Sequence, residues 1–167
     1  MDSVSAVSLY IETLHKIRSA LEDKYQREET RIKMKEAFIM DFKLYRCAHC
    51  GNIIFKVVDK GVPVLCCGEP MQELTPNTTD GALEKHVPVV EKNAHGNGYS
   101  VSVKVGSVTH PMLPEHSIEL IAAVSGDTVT FRFPKPGDEP ELKTFTREEK
   151  VEAYEYCNLH GFWKGEG

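Results

Sequence analysis

Four residues near the C-terminus, Cys157-Asn158-Leu159-His160, place a thiol and an imidazole three positions apart. Upstream, His86 lies in Glu84-Lys85-His86-Val87-Pro88-Val89, His110 in Val108-Thr109-His110-Pro111-Met112, and His116 in Pro114-Glu115-His116. Together they offer four nitrogens and one sulfur to a single ion. Magnesium and calcium prefer oxygen, so this donor set points to a redox-active transition metal. Five ligands on an ion that takes six leave one position for a reacting molecule, which makes the chain an enzyme. An isolated histidine is more often a surface or satisfied core residue. The weight rests on the set: four of seven histidines fall at strand–loop junctions of one segment, beside the one cysteine outside the other cluster. Pro111 and Pro114 stiffen the stretch between His110 and His116.

A second group is Cys47, Cys50, Cys66 and Cys67: CxxC, fifteen residues, then CC. Four thiolates from two turns fit a tetrahedral ion, and buried structural thiols do not pair in this way. Zinc ribbons usually repeat CxxC, whereas adjacent cysteines strain a tetrahedron, so spacing leaves iron and zinc open with slight preference for iron. His49, inside the first turn, reads as an exposed spacer because four sulfurs already complete a shell.

At the first group, four neutral imidazoles and one thiolate leave divalent iron with a charge of about +1, which attracts a small anion. The thiolate pushes electron density onto the metal, as in haem–thiolate enzymes. The net charge of the chain is -5, so a local positive site must draw an anionic substrate in.

The elements that must position these residues come in three textures. Residues 1–40 read as a helical extension, one long helix or a helical hairpin: Val7, Tyr10, Leu14, Ile17 and Leu21 recur at three- and four-residue steps. Residues 41–78 form a compact cysteine-bearing unit, with strand composition over 53–58 and a turn at Lys60-Gly61. Residues 79–167 alternate in period two, with Tyr99, Val101, Val103 and Val105 on one face, and Val129, Phe131 and Phe133 on another. Ile118-Glu119-Leu120 and 151–156 read as further strands. Turn signals at Gly96-Asn97-Gly98, Ser125-Gly126-Asp127 and Pro136-Gly137-Asp138 complete a β-sandwich pattern. The fold class is mainly β.

The 41% hydrophobic and 27% charged content is that of a soluble globular chain. No run reaches the eighteen or so apolar residues of a membrane helix, and residues 1–5 lack a secretory leader pattern, so the expected location is cytoplasmic. In that reducing setting cysteines serve as ligands rather than disulfides. The absence of a basic patch argues against nucleic acid as a partner.

The motifs Cys47-Ala48-His49-Cys50-Gly51-Asn52, Cys66-Cys67-Gly68-Glu69-Pro70-Met71, Glu84 to Val89, Val105 to Met112 and Tyr156 to Gly161 resemble the superoxide reductase family in its two-iron, desulfoferrodoxin form. The likeness runs from 42 to 164, in family order. It implies a desulforedoxin-like metal domain with iron on Cys47, Cys50, Cys66 and Cys67. An immunoglobulin-like catalytic domain would follow, its iron held by His86, His110, His116 and His160 in the equatorial plane and Cys157 axially. The implied reaction is one-electron reduction of superoxide to hydrogen peroxide, with iron re-reduced by a donor such as rubredoxin. Lys85 matches the lysine that attracts superoxide and aids proton delivery. Glu84 matches the glutamate that takes the open position in the resting ferric state. The family also implies a homodimer.

The resemblance does not reach the first forty residues. A helix-turn-helix there lacks both length and a basic recognition surface, whereas an apolar stripe usually packs on its own protein or a dimer partner. Other readings of the whole chain are a zinc-ribbon binding module fused to a β-sandwich, a non-haem oxygenase, and a dismutase. Colour separates the first, oxygen consumption with an organic substrate the second, and oxygen release without an external reductant the third.

Overall fold

The computed structural model describes residues 3–36, 40–79 and 81–167. Two compact units emerge, Met1–Phe38 and Ile39–Gly167. The first is a single helix, α1 (Ser3–Glu36), not a hairpin. Its expected stripe is present at Tyr10, Leu14, Ile17 and Leu21, all exposed; the side chain of Val7 lies outside the described residues.

The second unit opens with five short strands: β1 (Leu44–Arg46), β2 (Ile53–Phe55), β3 (Leu65–Cys66), β4 (Glu69–Pro70) and β5 (Gln72–Glu73). β1 lies between β2 and β5, and β3 pairs with β4, all antiparallel. The strand expected over 53–58 stops at Phe55, and Val57 and Val58 are exposed beyond it.

A one-turn helix, α2 (Leu83–His86), leads into the sandwich of β6 (Pro88–His95), β7 (Gly98–Val105), β8 (Ile118–Ser125), β9 (Thr128–Arg132), β10 (Glu141–Thr146), β11 (Glu152–Cys157) and β12 (Gly161–Glu166). One sheet runs β10-β7-β6 and the other β12-β11-β8-β9. Two tight hairpins join β6 to β7 and β8 to β9. Each starts with a glycine at positive φ, Gly96 and Gly126, as a two-residue loop between twisted strands demands. Phe133 lies just past the end of β9 and is 69% exposed, yet its ring stacks on Phe131 at 6.0 Å and 14°, as the expected alternation requires.

Two apolar clusters hold the unit. Between the sheets lie Val101, Val103, Val105, Ile118, Ile121, Ala123, Leu142, Ala153 and Cys157. On the outer face of β8 and β11, Leu120, Ala122, Val124, Tyr154 and Tyr156 pack with Phe42 and Leu44 of the cysteine-bearing segment. Phe42 is the hub, within 6.4 Å ring to ring of Phe55, Phe131, Tyr154 and Phe162. Burying such aromatics contributes roughly 1.5–3 kcal/mol apiece. The connection between segments is strapped down as well: Asn77 donates through Nδ2 to the Lys164 carbonyl and accepts from the Lys164 N–H.

Period two alone would put Ile118 on the outer face with Leu120. A β-bulge prevents this, because Tyr156 pairs with Leu120 but Cys157 pairs with Ile118, leaving Glu119 as the extra residue. Such an insertion flips every side chain beyond it, so Ile118 turns inward at the level of Cys157.

Candidate metal centres

Four elements bring the five residues of the histidine–cysteine set together. His86 ends α2, His110 and His116 sit on the β7–β8 connection, Cys157 ends β11, and His160 lies in the turn before β12. One donor atom from each residue lies within 4.8 Å of all the others. The rings are disposed as a near-square. Neighbouring centroids are 4.8 Å (His86–His110), 4.6 Å (His110–His116), 4.9 Å (His116–His160) and 4.7 Å (His160–His86). A square of that side has a diagonal of about 6.7 Å, and the His86–His116 separation is 6.5 Å.

The tautomers follow from the partners. His110 Nδ1 donates to the Pro111 carbonyl at 2.6 Å, which leaves Nε2 as a bare lone pair. His86 Nδ1 donates to Glu155 Oε1 at 3.2 Å, again freeing Nε2. The indole of Trp163 stacks on His86 at 5.0 Å and 13°, while its N–H donates to the His160 carbonyl at 3.0 Å, so one buried side chain locates two rings. Gly81 permits this packing: a Cβ there would meet Trp163 at 3.1 Å and His86 at 3.4 Å.

Electrostatics keep the rings neutral. Burial pushes His86 and His110 down to about 4, with neighbouring rings and Lys85 adding to the effect at both. His116 is also lowered, first by burial, then by His160 and Lys85. The Lys85 ammonium is therefore felt at three rings while its side chain remains exposed, as does that of Glu84. Burial raises the Cys157 thiol, against the backbone N–H groups of His160 and Leu159 that favour a thiolate.

The residues fit a metal on the structure's own terms. The Nε2 atoms of His110 and His116 are buried without any hydrogen-bond partner, a costly arrangement for lone pairs that nothing else satisfies. Neutral imidazoles beside a sulfur are the donors a soft or borderline cation takes. The second shell is present too, since a ligand histidine commonly donates its other N–H to a carboxylate or carbonyl.

Asn158 closes the site from behind. Its Oδ1 accepts from the Ser117 N–H at 3.0 Å, its Nδ2 donates to the Glu115 carbonyl at 3.1 Å, and its own N–H donates to the Ser117 carbonyl at 3.1 Å. The loop bearing His116 is thus riveted to the turn bearing Cys157 and His160. On the other side, the Glu84 carbonyl accepts from the Val108 N–H at 2.9 Å and from the Ser107 hydroxyl at 3.3 Å, fixing α2 against the strand end that leads to His110.

Glu155 and Asn158 do not stand out in the sequence as site residues. Glu155 is 0% exposed, and burial holds its carboxyl well above the usual range. The available signal was strand alternation, which places Glu155 on the same face as Cys157.

The four cysteines also converge, their sulfurs within 4.8 Å of one another. Cys50 and Cys66 are 3.6 Å apart, sulfur to sulfur. The first turn closes through Gly51, whose N–H donates to the Cys47 carbonyl at 3.1 Å. The adjacent pair is accommodated by consecutive left-handed residues, Cys67 at φ 53° and Gly68 at φ 87°. Backbone donors, chiefly at Cys50, lower Cys47 to about 6, whereas contact with Cys50 and Cys47 pushes Cys67 up to about 12. Four clustered thiolates repel one another unless a cation sits among them, so this set also fits a metal. His49 is exposed beside Glu69 and stands apart from the sulfurs.

Comparison with known proteins places these features in a family. The desulfoferrodoxin N-terminal domain model matches residues 41–74, and the desulfoferrodoxin model matches 78–166. Desulfoferrodoxin of Nitratidesulfovibrio vulgaris is 50% identical over 125 residues, covering 75% of this chain and 96% of that protein. Superoxide reductase of Thermococcus kodakarensis is 33% identical over 111 residues, covering 58% of this chain and 96% of its own. The crystal structure of superoxide reductase from Treponema pallidum superposes with a TM-score of 0.59 at 35% identity, covering 75% of this chain and 98% of that one. The chain belongs to the desulfoferrodoxin family.

Proposed function

We propose that this protein is a superoxide reductase with two iron centres: His86, His110, His116, His160 and Cys157 hold the catalytic iron, and Cys47, Cys50, Cys66 and Cys67 hold the other. The observation that carries this reading is the near-square of imidazoles with a sulfur in reach of every nitrogen. Bound there, ferrous iron supplies the one electron that, with two protons, converts superoxide to hydrogen peroxide.

The remaining work belongs to the chain. Lys85 gives the acidic protein its local positive charge at the rings, drawing the anion in and positioning a proton path through water. Glu84, beside it on α2, would offer its carboxylate to the bound iron in the resting state. Glu155 and the Pro111 carbonyl orient the rings of His86 and His110. Trp163 and the apolar core shield the inner side from water. A donor such as rubredoxin restores the reduced state, directly or through the four-sulfur centre. Residues 41–78 then act as a rubredoxin-type iron domain and 79–167 as the catalytic domain, in a cytoplasmic homodimer.

Metal analysis with visible spectra before and after reduction is the first test, because thiolate-to-iron charge transfer absorbs visibly and zinc does not. Pulse-generated superoxide should then disappear with consumption of reductant and without oxygen release. A colourless protein, or oxygen evolution without reductant, overturns the assignment.

A further inference from the structure

Helix α1 carries a seam that nothing in the catalytic reading uses. Tyr10, Leu14, Ile17 and Leu21 step by four, three and four residues, the a/d spacing of a coiled coil, with Ile11 and Tyr25 alongside. These six side chains are 47–71% exposed. From residue 10 to 30 no side chain is buried, and only Glu29 is partly covered. A helix of this kind draws its stability from packing its apolar face. The six residues offer on the order of 700 Å², close to the ~800 Å² that each side contributes to a standard interface.

Charge identifies the occupant. Ser3–Glu36 contains six acidic and seven basic residues of mixed order, without the one-signed face that a membrane surface or nucleic acid requires. A second copy of the same near-neutral helix meets no such demand. Direction follows from the seam. In a parallel pair the next seam positions, Lys24 and Glu28, would each face their own kind. Run in opposite senses, Leu14 meets Ile17 and Tyr10 meets Leu21, while Lys24 falls opposite position 7. We infer that α1 is a self-association element, pairing antiparallel with α1 of a second copy through Tyr10, Leu14, Ile17 and Leu21. This contact is independent of the superoxide chemistry and of any pairing through the β-rich unit.

The test uses the full chain by sedimentation equilibrium and circular dichroism at 222 nm across a dilution series. Helical signal and mass should fall together on dilution. Leu14→Glu with Ile17→Glu should raise the dissociation constant of this step at least about a hundredfold, given two apolar side chains lost per copy. Glutamate is itself a good helix former, so the loss is not one of propensity. Ser19→Glu, on the opposite face, should behave as wild type. Any pairing of the β-rich unit persists as residual mass, leaving the 222 nm signal to report α1. A helical signal unmoved by dilution and by the double substitution overturns the proposal, as does one that appears only with phosphatidylserine vesicles. For direction, a mixture of Tyr10→Cys and Leu21→Cys chains should give the mixed disulfide by peptide mass; a Tyr10→Cys link to itself overturns the antiparallel register.

Discussion

Replacing Gly106 by alanine tests how α2 is held over the histidine set. Gly106 has φ +74°, and an added Cβ would lie 2.6 Å from the Lys85 and Val108 carbonyl oxygens and 2.7 Å from that of Glu84. All three are backbone atoms, so none can swing aside; several tenths of an ångström of main-chain movement are required. Left-handed backbone costs an alanine about 1 kcal/mol, and overpacking against fixed neighbours about 1–3 kcal/mol more. The expected loss is therefore about 2–4 kcal/mol. Gly137→Ala isolates the two parts, since Gly137 has φ +90° but nothing within 4 Å of its Cβ position, and should cost only about 1 kcal/mol. Denaturant unfolding of both variants measures the difference. The atoms pushed belong to Glu84 and Lys85, next to His86, so Gly106→Ala should also weaken metal affinity at the histidine–cysteine centre about 10–100-fold while sparing the four-sulfur centre. If Gly106→Ala proves no less stable than Gly137→Ala and binds metal as wild type, the argument from close approach is wrong.

Lys85→Ala should slow the bimolecular reaction with superoxide and flatten its dependence on salt, read by pulse radiolysis at several ionic strengths. An unchanged slope would remove Lys85 from the steering role. Asn158→Ala unties two hydrogen bonds between the His116 loop and the Cys157 turn, and should cost about 1–3 kcal/mol and broaden the spectrum of the loaded centre. Cys157→Ser should abolish superoxide reduction while leaving the four-sulfur absorption intact. For the metal-free protein, His86 and His110 sit near 4 in the fold against the usual 6.5, so their stabilisation is present above pH 6.5 and lost as pH falls toward 4. Glu155 works the other way: its raised pKa means the fold keeps a proton that the unfolded chain releases above its usual 4.5. Glu155→Gln should therefore steepen the acid loss between pH 6.5 and 4.5 by up to about 1.4 kcal/mol per pH unit, measured by urea titration.

Much of the fold was legible where one face of a strand is buried and the other wet. Tyr99 to Val105 alternates as expected because β7 is the central strand of its sheet. β10 was missed because Leu142 is its only fully buried residue, so the sequence carries no run of apolar alternates. β12 was obscured by its own ligand turn, and Gly165 weakens any strand signal there. The nine metal-binding candidates were legible because sulfur and imidazole are chemically distinctive at any spacing. Their supports were not. Glu155 reads as a surface residue of an ordinary strand until tertiary packing closes over it, and Asn158 as a turn former. The bulge at Glu119 has no local signature, since it arises from the pairing of two strands far apart in the chain.

The stacking of Trp163 on His86 has a practical corollary. This is the sole tryptophan in the sequence, and its ring lies flat against a member of the histidine set. Its emission therefore reports on the surroundings of His86 and His160, free of the background that several indoles would add. Quenching on titration with ferrous ion would report filling of that centre directly, and a Cys50→Ser with Cys66→Ser chain would remove any contribution from the cysteine cluster.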